Sequence, residues 1–262
     1  MLATSTRLAR PWGDLLKQPD RLGISMQELL APFRGLDRKS TTVLLAAPVL
    51  MVLSMYQGNH AFFLKHYAHL VADPAYRPWA AYAYQFAASN LLFVVIPIVL
   101  IKFVIRAPLG DFGFGLGDWR FGLKALAIVT PIAIPLLYLG SNDPELLRTY
   151  PLVKMAAKNT QTFLQWALTY MTFYIAWEAM FRGFLQFGLR ERLGDFGSIM
   201  FQTMASVLMH YDKPFAETFS AIFAGMAWGA IALRTRSFWY VMIFHWIFGL
   251  CNDLFSILRA SP

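Results

Sequence analysis

Cysteine is nearly missing from this chain of 262 residues. The single Cys251 excludes an intramolecular disulfide, and within FGLCNDLF it reads as a small apolar packing residue. Charge is scarce as well: Asp, Glu, Lys and Arg make up 15% of the residues, against about 25% in soluble domains. With 57% hydrophobic residues and a mean hydropathy of +0.47, the composition excludes an ordinary water-soluble domain and points to an integral membrane protein. Three signatures are also missing: HExxH, the GxGxxG spacing of a nucleotide loop, and any visible internal repeat. The first 40 residues hold no apolar run, so no signal peptide is expected, and with Arg7, Arg10, Lys17, Arg21, Arg34, Arg38 and Lys39 they read as a basic cytoplasmic arm, 1–40.

What is present is a series of long apolar segments. A span needs about 20 mostly apolar residues to cross roughly 30 Å of hydrocarbon. That rule predicts an all-α, polytopic transmembrane helix bundle of about seven helices, near 41–58, 80–105, 121–140, 161–189, 196–210, 215–233 and 237–258. The net charge of +8 is spread over the ends of these segments, where basic groups meet anionic lipid headgroups. Nucleic acid is therefore not an expected partner; the lipid bilayer is. Lys102, Arg106, Arg120, Lys124, Arg190, Arg192, Arg234 and Arg236 fall on the same side as the basic arm, so the positive-inside rule puts the N-terminus in the cytoplasm. The expected location is the bacterial inner (plasma) membrane, with an odd number of spans leaving the C-terminus outside.

Two features tempt and are set aside. The glycine run DFGFGLGDWRFG (111–122) follows no strand and reads as an interfacial turn with Trp119 at headgroup level. His60, His66 and His69 have metal-like spacing in HAFFLKHYAH, but their aromatic neighbours suit a membrane interface better.

The polar residues inside the spans are another matter. An ionisable side chain at the centre of a spanning helix costs about 2.5–3.5 kcal/mol on insertion scales, so it marks function by default. Counted from expected inner helix ends at Arg190, Phe196 and Arg236, Glu178, His210 and His245 lie roughly 18, 21 and 14 Å deep at about 1.5 Å per residue. Glu178 and Arg182 stand at i, i+4 on one face, where carboxylate and guanidinium can meet. A buried carboxylate beside imidazoles is suited to pulling a proton from water, which can then attack a carbonyl. Asn252, seven residues after His245, shares nearly its azimuth and could donate to a carbonyl in an elongated pocket, whereas Asp253 is rotated away. Pro214 in MHYDKP breaks the fifth helix close to His210. Glu178, His210 and His245 also match zinc in ligand type and number, but without HExxH no cofactor is expected.

WEAMFRGF, MHYDKP, and TRSFWYVMIFH followed by Asn and Asp, preceded by the DFGFGLGDWR turn, resemble the CAAX protease and bacteriocin-processing (CPBP) family of intramembrane proteins over residues 105–258. Two N-terminal transmembrane helices (41–105) would then precede a CPBP-like core (106–258). The resemblance, which extends to the type II CAAX prenyl endopeptidase, implies a membrane endopeptidase in which glutamate and histidine activate water while asparagine and histidine form an oxyanion site. It implies that Glu178 and Arg182 match the second glutamate and the arginine of EExxxR, that His210 matches the histidine of the second motif, and that His245 matches that of the third. The sequence departs from the family at Trp177, where the first glutamate would stand, at Ser206, where a Phe would, and at Gly249, where an Asn would. Either Glu178 takes over as base with Asn252 as a distant stand-in, or the protein is a catalytically inactive peptide-binding, immunity or scaffold factor. The expected substrate is a membrane-bound or lipid-modified peptide, since a pocket at this depth is reached most easily from the bilayer. A proton-coupled transporter is disfavoured, because no symmetry-related pair of broken helices is visible.

Overall fold

The computed structural model describes residues 25–31, 34–35 and 37–260, and the chain divides into two units, 1–38 and 39–262. Most of the basic arm, including Arg7, Arg10, Lys17 and Arg21, lies outside the described residues. Within the first unit, Ser25 and Glu28 form a reciprocal cap on the single helical turn Met26–Leu29.

Among its described residues the second unit holds helices joined by turns and loops, and no strands. α1 spans Arg38–Tyr56, and α2 spans His60–His66, capped by the Asn59 side chain accepting from Phe62 N–H. α3 begins as Arg77–Asn90 and continues through Leu91–Val95, Ile96–Val99 and Leu100–Ile105. Its wide π-type turns flank Pro97, where the missing N–H and the ring would otherwise break an α-helical ladder. α4 is Trp119–Gly140, capped by Asp118, and α5 is Pro144–Thr149, capped by Asp143. α6 begins as Thr160–Glu178 behind an Asn159–Thr162 capping box and runs on as a π-type stretch, Ala179–Phe187. α7 spans Gly188–Leu208 but is broken at Gly194, whose φ of 69° and ψ of 177° are not helical. α8 (Phe215–Thr235) and α9 (Trp239–Ala260) complete the bundle.

The seven segments expected to span coincide with α1, α3, α4, α6, the part of α7 beyond Gly194, α8 and α9. Among the described residues, five helices are long and apolar enough to cross a membrane: Arg38–Tyr56, Pro74–Ile105, Trp119–Gly140, Phe215–Thr235 and Trp239–Ala260. α6 is not one of them, because its interior carries polar side chains, and α7 is cut short by its break. Contacts gather the connecting segments at two ends. Asp118 meets Arg234, and Lys39 meets Glu191, at one end; Arg259 meets Ser141, and Tyr150 meets Glu217, at the other.

α6 occupies the centre. From Ala176 through Phe187 every residue is buried, and the helix packs against α3, α9, α7 and α8. Its aromatic residues Phe181 and Phe184 join Val43, Phe93 and Phe112 in one core cluster; Trp166, Tyr170 and Tyr174 join Phe86 and Met242 in another. The glycine run forms a turn against the α8–α9 connection, as its composition predicts. Asp118 N–H donates to Thr235 O at 2.8 Å, and Gly117, at φ 52°, passes so close to that carbonyl that no Cβ would fit.

Candidate active site

Glu178 is fully buried at the point where α6 widens into its π-type stretch. One oxygen, Oε1, accepts from Arg182 Nη1 at 3.1 Å and from His245 Nδ1 at 2.7 Å. The i, i+4 pair thus forms as the spacing predicts, and α9 adds an imidazole to it. A buried ion pair of this kind is costly because each charge has been taken out of water, and here Glu178 Oε2 and Arg182 Nε are left without a hydrogen-bond partner. Arg182 also places its guanidinium 5.6 Å from the Trp228 ring centroid, the cation–π contact replacing part of the lost hydration.

The His245 ring is held between Tyr174 and Trp228, each at 4.6 Å between centroids. His210 is reached differently. α7 ends at Leu208, and His210 occupies the turn that follows, so the helix expected to run to 210 stops short of it. The turn is fixed by Lys213 N–H donating to His210 O at 2.9 Å, before Pro214 caps α8. His210 Nδ1 bonds Ser206 O at 2.7 Å. The Trp177 ring stands edge-on to both imidazoles, 5.1 Å from His210 and 6.4 Å from His245.

These contacts decide the tautomers. A backbone carbonyl can only accept, so His210 Nδ1 carries the proton in its bond to Ser206 O. A carboxylate paired with Arg182 also accepts, so His245 Nδ1 donates to Glu178. In the neutral form, each ring is left with a bare Nε2.

Both imidazoles open on the same space. A cavity of about 380 Å³ is lined by His210, His245, Tyr174, Trp177, Arg182 and Asn252, and extends between α4 and α8 past Leu136, Leu137, Ala221 and Ala224. A second, of about 370 Å³, shares Tyr174, Trp177, His210, Glu217 and His245 with the first and is otherwise walled by α1–α3, the 209–213 turn, Thr149, Leu152, Tyr170 and Phe173. Glu178 lines neither; it stands behind His245 and Arg182. The sequence reading, which set Glu178, His210 and His245 side by side around one water, is corrected on this point: a carboxylate with no exposed surface reaches the cavity through His245. Nor do the three form a metal grouping, since among the described residues no set of three or more His, Cys, Asp or Glu is arranged to hold an ion. Asn252 lies in the cavity wall, as its azimuth predicts.

Three side chains at the site escaped sequence reasoning. Glu217, in the first turn of α8, is a carboxylate in the walls of both cavities, accepting from Tyr150 Oη at 2.7 Å. Trp228 and Tyr174 clamp His245. Asp253, ranked low from its azimuth, is buried away from the cavity; it accepts from Trp166 Nε1 at 2.7 Å and Leu152 N–H at 3.2 Å, tying the 150–158 loop to α6 and α9. His60 stacks on Tyr82 at 4.6 Å and bonds Gln85, in keeping with an aromatic interfacial role.

Fold and site together define a polytopic helical membrane protein with a carboxylate–imidazole pair at the edge of an internal cavity. Residues 159–251 match the family model described as Type II CAAX prenyl endopeptidase Rce1-like, the family that the motifs around Glu178, His210 and His245 had indicated. The matched segment covers α6 to α9 up to Cys251, and over it the chain is similar to a CAAX-protease-like membrane peptidase family. No curated protein and no solved structure matches the chain.

Proposed function

We propose that the protein is an intramembrane peptidase that hydrolyses a membrane-associated or lipid-modified peptide. The observation that carries this reading is the 2.7 Å contact between His245 Nδ1 and Glu178 Oε1, made by an imidazole that lines a cavity shared with His210. A water between the two bare Nε2 atoms donates one hydrogen to each and turns a lone pair toward a substrate carbonyl. As the water oxygen bonds to the carbonyl carbon, His245 takes the proton, and Glu178 stabilises the imidazolium that forms. Collapse of the tetrahedral intermediate breaks the C–N bond, and the same proton passes to the departing amine. Arg182 orients Glu178, and the apolar wall between α4 and α8 suits the lipid part of the substrate.

Trp177 favours a second reading. It holds the position where the family resemblance has a carboxylate, and a protein without catalysis could use the same cavities to bind a peptide as an immunity or scaffold factor. Both readings share one setting, which we infer to be a bacterial inner membrane with the N-terminus in the cytoplasm. The deciding experiment is cleavage of an internally quenched peptide carrying an S-farnesyl or S-palmitoyl cysteine, by purified protein in liposomes. Hydrolysis by the wild type, abolished in Glu178→Gln and in His245→Ala with the fold retained, is the expected result. Activity surviving in either variant excludes the mechanism, and binding without cleavage by the wild type selects the second reading.

A further inference from the structure

Resting on the peptidase reading, we propose that Tyr174 is a catalytic residue whose hydroxyl donates the hydrogen bond that receives the substrate's carbonyl oxygen as it becomes an oxyanion. The need for such a donor follows from the tautomers. His210 and His245 each donate through Nδ1, to Ser206 O and to Glu178, and so present acceptors to the cavity. Arg182 reaches the wall, but its Nη1 is committed to Glu178 and its unpartnered Nε has no exposed surface. Asn252 is two helical turns from His245, about 10 Å along α9 at about 1.5 Å per residue.

Tyr174 has the missing property. It lines both cavities, lies one turn before Glu178 on α6, and packs its ring against His245 at 4.6 Å. Its hydroxyl reaches α9 at Gly249, one turn beyond His245, where it occupies the space that any Cβ would claim. Gly249 is therefore the condition for the hydroxyl's position. Glycine costs helical stability relative to alanine, by about 1 kcal/mol in an exposed helix interior, so its place in mid-α9 has a reason in this contact. The reaction then needs no further groups. The carbonyl π pair moves onto oxygen as the water oxygen bonds to carbon, and Tyr174 O–H donates to that oxygen without giving up its proton. The bond is released when the intermediate collapses to carboxylic acid and amine.

The test is a double-mutant cycle on the quenched lipidated peptide, read as kcat and KM separately, with thermal unfolding recorded for each variant. Tyr174→Phe keeps the ring and is expected to lower kcat about 10²- to 10³-fold, the range for loss of one oxyanion donor, with KM changed by less than about threefold. Gly249→Ala is expected to lower kcat comparably by displacing the hydroxyl, and to lower stability as well. The double variant regains part of that stability, since the hydroxyl collision is gone while the ring carbon that bore it still lies 2.6 Å from the new Cβ, and it is no slower than Tyr174→Phe alone. Retention of more than about a third of wild-type kcat in Tyr174→Phe overturns the proposal, as does multiplication of the two kcat losses in the double variant. A KM effect with kcat unchanged also overturns it, assigning Tyr174 to substrate binding. Wild-type cleavage judges the peptidase reading separately: if the wild type fails to cleave, both fall, whereas an active wild type with an active Tyr174→Phe sinks this proposal alone.

Discussion

α4 and α6 are both long helices of one bundle, and they are built inside out relative to each other. The 18-residue window that qualifies α4 as a span is 6% buried; Leu123, Ile128, Ile132, Leu136 and Leu139 are exposed along it, a face that suits lipid. α6 is buried on every side from Ala176 to its end at Phe187 and there carries Glu178, Arg182 and Gln186. In water the apolar helix would be the core and the charged one the surface. Here hydrocarbon surrounds the bundle, so the interior is the only place where a charge can find partners. Mean hydropathy therefore singles out the peripheral helix as a span and not the functional one, although the apolar run at 161–189 is long enough to be read as a helix from the sequence.

The sharpest way to break this comparison is to leave a charge in α6 without its partner. Arg182→Leu strands Glu178 in the bundle with His245 alone, and a loss of about 3–5 kcal/mol in unfolding free energy is expected from denaturant titration in detergent micelles. Replacing both Glu178 and Arg182 by Leu removes the two charges together and should recover the larger part of that loss. If the single variant costs less than about 1 kcal/mol, water reaches the pair and α6 is not the dry interior described above.

The converse change tests the other helix. Ile132, near the middle of α4, is 62% exposed. Ile132→Lys should raise the apparent free energy of membrane insertion by about 2.5–3.5 kcal/mol in a glycosylation-mapped microsomal assay, while Ile132→Leu leaves it unchanged. An insertion cost near zero for the lysine would mean that this face meets protein or water.

The helices and the Glu178–Arg182 pair were legible in the sequence because both depend on local periodicity: apolar runs of spanning length, and charges four residues apart. Tyr174, Glu178, Arg182 and Gln186 follow one another at steps of four, so the tyrosine too was within reach of the same argument. His245 and His210 could be placed by counting depth, but depth says nothing about rotation. That Glu178 faces His245 and not the cavity depends on how α9 is turned against α6. Glu217 lies 39 positions beyond Glu178 and reaches the site only because the turn at 209–214 sends α8 back against α7 and α6. The fit of the Tyr174 hydroxyl to Gly249 is a contact between two helices at the scale of one methyl group, which no pattern of residue types encodes.

The smallest expected effect completes the contrast between buried and exposed charge. Asp118 and Arg234 form a pair with the same chemistry as Glu178 and Arg182, at 2.8 Å, but at the exposed end of the bundle. The Asp118 carboxyl is held below the ordinary carboxylate range, first by the Phe121 N–H that it caps and then by Arg234. A depressed folded-state pKa contributes stability that is present above the unfolded value, about 3.9 for Asp, and is lost as pH falls through the folded value. Asp118→Asn should therefore flatten the acid side of the melting-temperature profile slightly and leave the profile near neutrality almost unchanged, since asparagine still caps α4. Added salt should shrink the wild-type effect further, because the pair is open to solvent, while leaving the cost of Arg182→Leu intact. A salt response of equal size at the two pairs would show that the boundary between the wet end and the dry centre of the bundle lies deeper than Glu178.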